Sequence, residues 1–246
     1  FLYTNNKVNF MGGEKVAKLS KDQFLISENC AGISHIDNVI QDKVRENQAQ
    51  LTKPEGSLGR LEDLAIHIAG IKQKAYPTLI NNLIVVVAAD HGIAQQGVSA
   101  YPQVVTKQMM ANFINQGGAI NVLGKSIGAR VVLIDAGINN GHFKDTAVVS
   151  LGTGHGTDDF TNGPAMTRKN AEKSVATGIK FFNTELKNNE IDIVACGEMG
   201  IGNTTAAAAL TAAITGKNPK IVTGRGTGID DFTYKKKLSA IEQALK

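Results

Sequence analysis

The chain has no tryptophan, two cysteines and five prolines in 246 residues, and only 5% of it is aromatic. Two cysteines as far apart as Cys30 and Cys196 do not make a disulfide scaffold or a thiolate zinc site. Cys196 falls within an apolar run expected to form a buried strand. No apolar run reaches the length of a membrane-spanning helix and no secretory leader is visible, so no membrane partner is expected and the cytoplasm is the default location. Lys/Arg blocks with interleaved aromatics are missing too. A net charge of +4 and a pI near 9.0 therefore favour a small anionic substrate over nucleic acid. Neither a low-complexity linker nor an internal repeat interrupts the chain. What is plentiful is glycine, 26 residues, against a globular background of 42% hydrophobic and 20% charged residues. That balance suits a fold built on tight strand-to-helix turns.

Apolar, β-branched runs without alternation mark strands covered on both faces. Leu83 to Ala89 is the clearest, followed by Ala129 to Ala136, the short Val148 to Leu151, and Ile191 to Ala195. Helical spacing fits Ile36 to Leu51, Leu61 to Ile71, Val104 to Asn115, Ile120 to Ile127 and Met166 to Asn188. Strand, helix and glycine turn recur in that order. The expected fold is α/β: a doubly wound, mainly parallel sheet with helices on both faces, plus a small helical N-terminal part. We divide the chain into an arm and helical part, 1–52, and a Rossmann-like nucleotide-binding domain, 53–246. Residues 1–30 are weakly patterned. The first residue is Phe1 rather than Met and the last, Lys246, falls within a helical pattern, which fits cuts at both ends.

The stretch IDIVACGEMGIGNTTAAAAL (191–210) organises the rest. A short apolar run passes through Gly197, Gly200 and Gly202 into an alanine run of high helix propensity. Glycines let backbone approach a ligand closely, and Asn203, Thr204 and Thr205 are natural N-cap residues. The free N–H groups and positive end of such a helix make an anion site, with phosphate the favoured anion. The plainer reading is a tight connection in a parallel sheet. Glu198 stands among these amides, where a carboxylate needs a partner of its own, such as a ribose hydroxyl or a cationic ring.

Other residues carry two readings each. Lys53, Ser57 and Arg60 in a glycine-containing loop either bind an anion or cap a helix; His67 reads as an ordinary helix residue. Asp90 and His91 end the best strand, where α/β folds place their sites; they suit a loop anchor better than a metal pair, since no third ligand lies at a useful spacing. Tyr101, Pro102 and Met109 are core residues or the wall of a flat aromatic ligand. GTGHGTDDF (152–160) is a mobile polar loop. TGRGTGIDD (223–231) leads to Lys235–Lys237, of which at most one faces a ligand.

Four segments, KPEGSLGRLE (53–62), ADHGIAQQGVSAYPQVVTKQM (89–109), GEMGIGNTTAAAAL (197–210) and TGRGTGIDD (223–231), resemble the nicotinate-nucleotide:dimethylbenzimidazole phosphoribosyltransferase family of cobalamin biosynthesis. The resemblance runs in order from about Lys53 to Lys246. It implies transfer of a phosphoribosyl group from nicotinate mononucleotide to 5,6-dimethylbenzimidazole, giving α-ribazole 5′-phosphate and nicotinate, in a homodimer that needs no cofactor and no metal. The pyridinium leaving group loses its charge as it departs. Asp135 stands alone where magnesium-dependent phosphoribosyltransferases carry paired acids. By the resemblance, Gly200, Gly202, Asn203, Thr204 and Lys237 hold phosphate and ribose, Tyr101, Met109 and Met199 wall the benzimidazole slot, and Glu198 is a secondary carboxylate near the reacting ribose. The family's general base, a glutamate in a later segment of the form GEGTGAA, has no counterpart in these residues. A truncated, non-catalytic binder of a nucleotide or benzimidazole is the alternative. An unrelated dehydrogenase would need Gly-x-Gly-x-x-Gly after its first strand, and Asp90-His91-Gly92 is not that.

Overall fold

The computed structural model describes residues 2–4, 7–9, 19–139, 143, 145–152 and 154–246. The chain divides into two compact units, Phe1–Ile80 and Asn81–Lys246.

In the first unit, β1 (Leu2–Thr4) and β2 (Lys7–Asn9) pair antiparallel. Helix α1 (Lys21–Ala31) follows, within the segment expected to be unpatterned. Its start is a capping box: Ser20 accepts from the Gln23 amide while Gln23 accepts from the Ser20 amide. That Ser-x-x-Gln signal stands in the sequence, ahead of a helix with little apolar periodicity to draw attention to it. Helices α2 (Asn38–Ala49) and α3 (Arg60–Lys72) pack closely, for a Cβ on Gly70 would stand 2.7 Å from the Gln41 side chain. Between them Lys53 donates to Glu62 Oε1 at 2.8 Å, which also accepts from the Leu58 amide at 3.1 Å. The Lys53 hydrogen bond, with help from Leu58, holds the Glu62 carboxyl below its usual range. Lys53 is thus committed to an ion pair at the start of α3. His67 is exposed on α3, as an ordinary helix residue.

The second unit grows from β3 (Asn82–Ala88), whose run of Val and Ile residues is stiff and extended by preference. β3 pairs in parallel with β4 (Arg130–Asp135) on one side and β6 (Ile193–Met199) on the other. β5 (Val148–Ser150) extends the sheet beyond β4, in the order β5-β4-β3-β6. Successive strand residues face opposite ways. Ile84, Val86, Ala88 and Leu133 pack beneath α4 (Val104–Ile114) and α5 (Ala119–Ser126) through Met110, Phe113 and Ile120. Leu83, Val85 and Ile134 meet Phe181 of α6 (Arg168–Asn188) on the other face. This is the expected doubly wound sheet with helices on both faces. α7 (Asn203–Thr215), the short α8 (Pro219–Val222) and α9 (Asp231–Ala244) complete the unit.

Two expectations about β6 need correction. The strand runs on past Ala195 to Met199, through the first glycine, because Cys196 to Met199 complete the ladder opposite Val85 to Ala88. Nor is Cys196 buried: among the described residues β6 pairs with β3 alone, and Ile193 to Cys196 are exposed. Cys196 lines an apolar cavity of about 600 Å³ with Val85, Val87 and Phe181.

Met110 of α4 is fully buried against the sheet. Met110→Ala is expected to cost about 2–5 kcal/mol of unfolding free energy, as truncated core side chains do. Urea denaturation followed by circular dichroism measures it; a loss below 1 kcal/mol would show that this contact is not part of the core, since surface changes stay within about ±0.5 kcal/mol.

Candidate active site

The carboxyl ends of β3, β4 and β6 lie together, and the loops that leave them make the site. Asp90 follows β3 and is buried. Its Oδ2 accepts from the Asn139 amide at 2.7 Å, while its Oδ1 has no hydrogen-bond partner among the described residues. Asp135, also buried, caps its own turn by accepting from the Gly137 and Ile138 amides, each at 2.9 Å. Residues of the GTGHGTDDF loop are pinned alongside: the Thr157 amide donates to Asp90 O and the Gly92 amide to Thr157 O. Gly156 is required there, since its Cβ would stand 2.3 Å from Asp90 O. A loop that reads as mobile in sequence is therefore stitched to the strand end. Burial pushes the His91 imidazole below its ordinary pKa and so favours a neutral ring, while the Asp90 charge pulls the other way. Among the described residues no cluster of three His, Cys, Asp or Glu side chains suits a metal ion.

After β6 the chain turns through Gly200 to Gly202 into α7. Gly200 is demanded by packing, whatever it binds: a Cβ would stand 2.4 Å from Ala89 O and 2.8 Å from His91 Nε2. Gly202 has φ +92°, the left-handed region that side chains disfavour. It is Gly202, not Asn203, Thr204 or Thr205, that caps α7, and no side chain caps it. The turn is also fixed from α4, whose Thr106 Oγ1 accepts from the Ile201 amide at 3.1 Å. Thr106 is fully buried, and nothing in the local sequence around it signals that role. The amides of Gly202 and Thr204 find no backbone acceptor among the described residues, so α7 opens with donors to offer.

Freed from capping, Thr204 has another partner. Lys237 of α9 is 0% exposed, whereas Lys235 and Lys236 are exposed. Its Nζ donates to Thr204 Oγ1 at 2.7 Å and to Gly224 O at 2.9 Å. Both acceptors are neutral, and burial lowers the ammonium's pKa. The loop lying over it carries Gly226, at φ +63°, whose Cβ would come within 2.6 Å of Thr204 Oγ1. Arg225 in the same loop donates to Ile229 O, pairs with Asp231 and stacks on Tyr234.

The remaining residues divide by face. Met109 and Met199 pack against the apolar cluster under α4. Tyr101 is 54% exposed on the loop before that helix. Glu198 is in register with Val87 on the opposite face, and desolvation raises its carboxyl pKa. The structure thus joins Gly200, Gly202, Asn203, Thr204 and Lys237 in one junction and packs Met109 and Met199 against the same apolar cluster. Glu198 it turns to the other side of β6.

On a parallel α/β sheet, a glycine turn and a buried lysine meeting at one helix start have the chemistry to hold an anion. A protein-family model described as Phosphoribosyltransferase matches residues 33–246, and the chain belongs to that family. Curated relatives named nicotinate-nucleotide–dimethylbenzimidazole phosphoribosyltransferase are similar to it. Those of Roseiflexus sp. (strain RS-1) and Chloroflexus aurantiacus (strain ATCC 29366 / DSM 635 / J-10-fl) are each 47% identical over 221 residues, 90% of this chain. The crystal structure of CobT from Thermus thermophilus is 39% identical, with a TM-score of 0.80 over 84% of this chain. The chain spans about 62% of the length of the first of these relatives and of the CobT chain. The family match begins at residue 33, ahead of the resemblance read from Lys53.

Gly200→Ala is expected to lose about 1–3 kcal/mol of stability through overpacking against Ala89 and His91; unfolding at wild-type urea midpoint would refute the close contact. A pH effect follows from Lys237. Its pKa is lower in the folded chain than the ordinary 10.5. Between those two values the unfolded chain holds a proton that the folded chain has shed, so this group makes stability rise with pH there. Denaturation across that interval is expected to give a flatter pH dependence in Lys237→Met than in wild type.

Proposed function

We propose that the protein spanned by this chain transfers the phosphoribosyl group of nicotinate mononucleotide to 5,6-dimethylbenzimidazole, the activity carried in the names of its relatives. One observation carries the reading at this chain's own residues: a buried lysine reaching the start of a glycine-initiated helix, where the Gly202 and Thr204 amides find no backbone acceptor among the described residues. A nucleotide phosphate there meets the amides of Gly202 and Thr204, the Thr204 hydroxyl and the Lys237 ammonium, while Asn203 stands at the same helix start. Lys237 holds its charge for an incoming anion, because a phosphate returns part of the electrostatic stabilisation that burial removed.

The chemistry asks little else of the protein. A benzimidazole nitrogen bonds to C1′ as the C1′–pyridinium bond breaks, and the bonding pair goes to the pyridine nitrogen, which leaves uncharged. The departing ring needs no acid and the transfer needs no metal or cofactor. The acceptor's N–H proton goes to a carboxylate. Glu198, whose carboxyl pKa is raised by desolvation, is our choice of secondary carboxylate for the ribose. Tyr101, Met109 and Met199 form the apolar wall against which the acceptor base lies, and Asp90 with His91 hold the loops. A homodimer in the cytoplasm belongs to the same proposal; exposed Leu51, Leu61, Leu64 and Tyr76 of the first unit are consistent with a subunit contact.

Calorimetric titration with nicotinate mononucleotide tests the cradle. Lys237→Met is expected to weaken binding about 10- to 100-fold, the worth of a charged hydrogen bond at roughly 1.5–3 kcal/mol. Equal affinity in the two proteins would remove the phosphate from this junction. Adding dimethylbenzimidazole and following nicotinate release then reads the transfer itself: release supports it, and a wild-type chain that binds both substrates without release assigns the proton-accepting carboxylate elsewhere than Glu198.

A further inference from the structure

The loop 223–229 touches two parts of the site that the sequence separates by more than a hundred residues. Its first half closes over the cradle, through Gly224 O on Lys237 and Gly226 against Thr204. The next residue faces the other way. Thr227 Oγ1 accepts from the Ala100 amide at 3.2 Å and lies 3.4 Å from Ser99 Oγ. Ser99 Oγ in turn accepts from the Tyr101 amide at 3.3 Å. Beneath this segment Val98 is buried with Ile93 against Ala240, one helical turn beyond Lys237 on α9. The segment carrying Tyr101 is therefore tied to the cradle twice, by the Thr227 hydroxyl and by Val98, which shares an apolar cluster with Ala240 of α9.

We infer that Thr227 is a positioning residue that couples the phosphate cradle to the wall of the acceptor-base slot. The inference rests on the function proposed above and extends it, since neither the chemistry nor the cradle requires Thr227. Phosphate at Lys237 fixes the loop at Gly224 and Gly226. Through the Thr227 hydroxyl that fixation reaches Ala100 and Tyr101, so a bound nucleotide preorganises the wall on which the base packs. Such coupling is reciprocal: bound base strengthens nucleotide binding by the same factor.

The test compares wild type, Thr227→Val and Thr227→Ser by calorimetry with nicotinate mononucleotide alone, dimethylbenzimidazole alone, and dimethylbenzimidazole on nucleotide-saturated protein. In wild type the nucleotide is expected to tighten base binding. The valine variant should keep both separate affinities within about two-fold while losing roughly three- to ten-fold of that enhancement, the scale of one hydrogen bond. Serine, which retains the acceptor, should restore it. A residue with a merely structural role would lower the nucleotide affinity and serine would restore nothing particular to the base. Undiminished enhancement in the valine variant overturns the inference. If wild type binds neither substrate, the proposed function fails, and amide hydrogen exchange at Ala100 and Tyr101 still decides the coupling with inorganic phosphate as the probe. Exchange slowed by phosphate in wild type and not in Thr227→Val supports it; exchange unchanged in wild type, or slowed equally in both, overturns it.

Discussion

An ammonium group taken out of water and given only neutral acceptors is costly to hold, and Lys237 is held that way, between a threonine hydroxyl and a glycine carbonyl. Much of the second unit arranges itself around that group. α9 must present Lys237 inward, which it does by burying Ala240 and Ile241 on the same side. α7 must start one residue early, on Gly202, so that Thr204 keeps its hydroxyl for the lysine. The loop 223–229 must fold back over the junction, which is why Gly226 carries no side chain. A neutral hydrophobe of similar shape would be cheaper there. An anion that completes the lysine's coordination makes sense of the cost.

The sheet supplies the rigid frame beneath. β3 is covered on both faces, and its two partners bring β4 and β6 to the same end. Because strand residues alternate, Met199 and Glu198 part company at the end of β6: one joins the apolar packing under α4, the other faces the side of Val87. Packed methionine and an outward carboxylate are thereby set on either side of one strand end, with the Lys237–Thr204 junction one turn beyond. Buried Asp90 and Asp135 spend carboxylate oxygens on loop amides, which keeps the strand ends fixed while the glycine turns pass close to them.

Much of this is legible in the sequence because it depends on local chemistry. The unbroken apolar runs mark the strands, glycine spacing marks the turn after β6, and three lysines in a row imply that at most one faces inward. Other features are local too, and the Ser20–Gln23 capping box shows that a short polar signal is easily overlooked beside stronger apolar periodicity. The end of β6 misleads for a different reason. Gly197 reads as a turn when taken alone, and only the hydrogen-bond ladder with Val85 to Ala88 carries the strand through it. Lys53 likewise stays open between an anion ligand and a helix-capping residue until Glu62, nine positions on, is found against it.

By itself the sequence determined the α/β class, the positions of the strands and the glycine turn that begins α7, since propensity, periodicity and backbone sterics act over a few residues. The tertiary structure alone decided which of three lysines is buried, that Thr106 pins the turn, that Cys196 is exposed, and that Thr227 meets Ala100. Each of those depends on packing between segments far apart in the chain, where burial and hydrogen-bond partners are set by neighbours that no local pattern names.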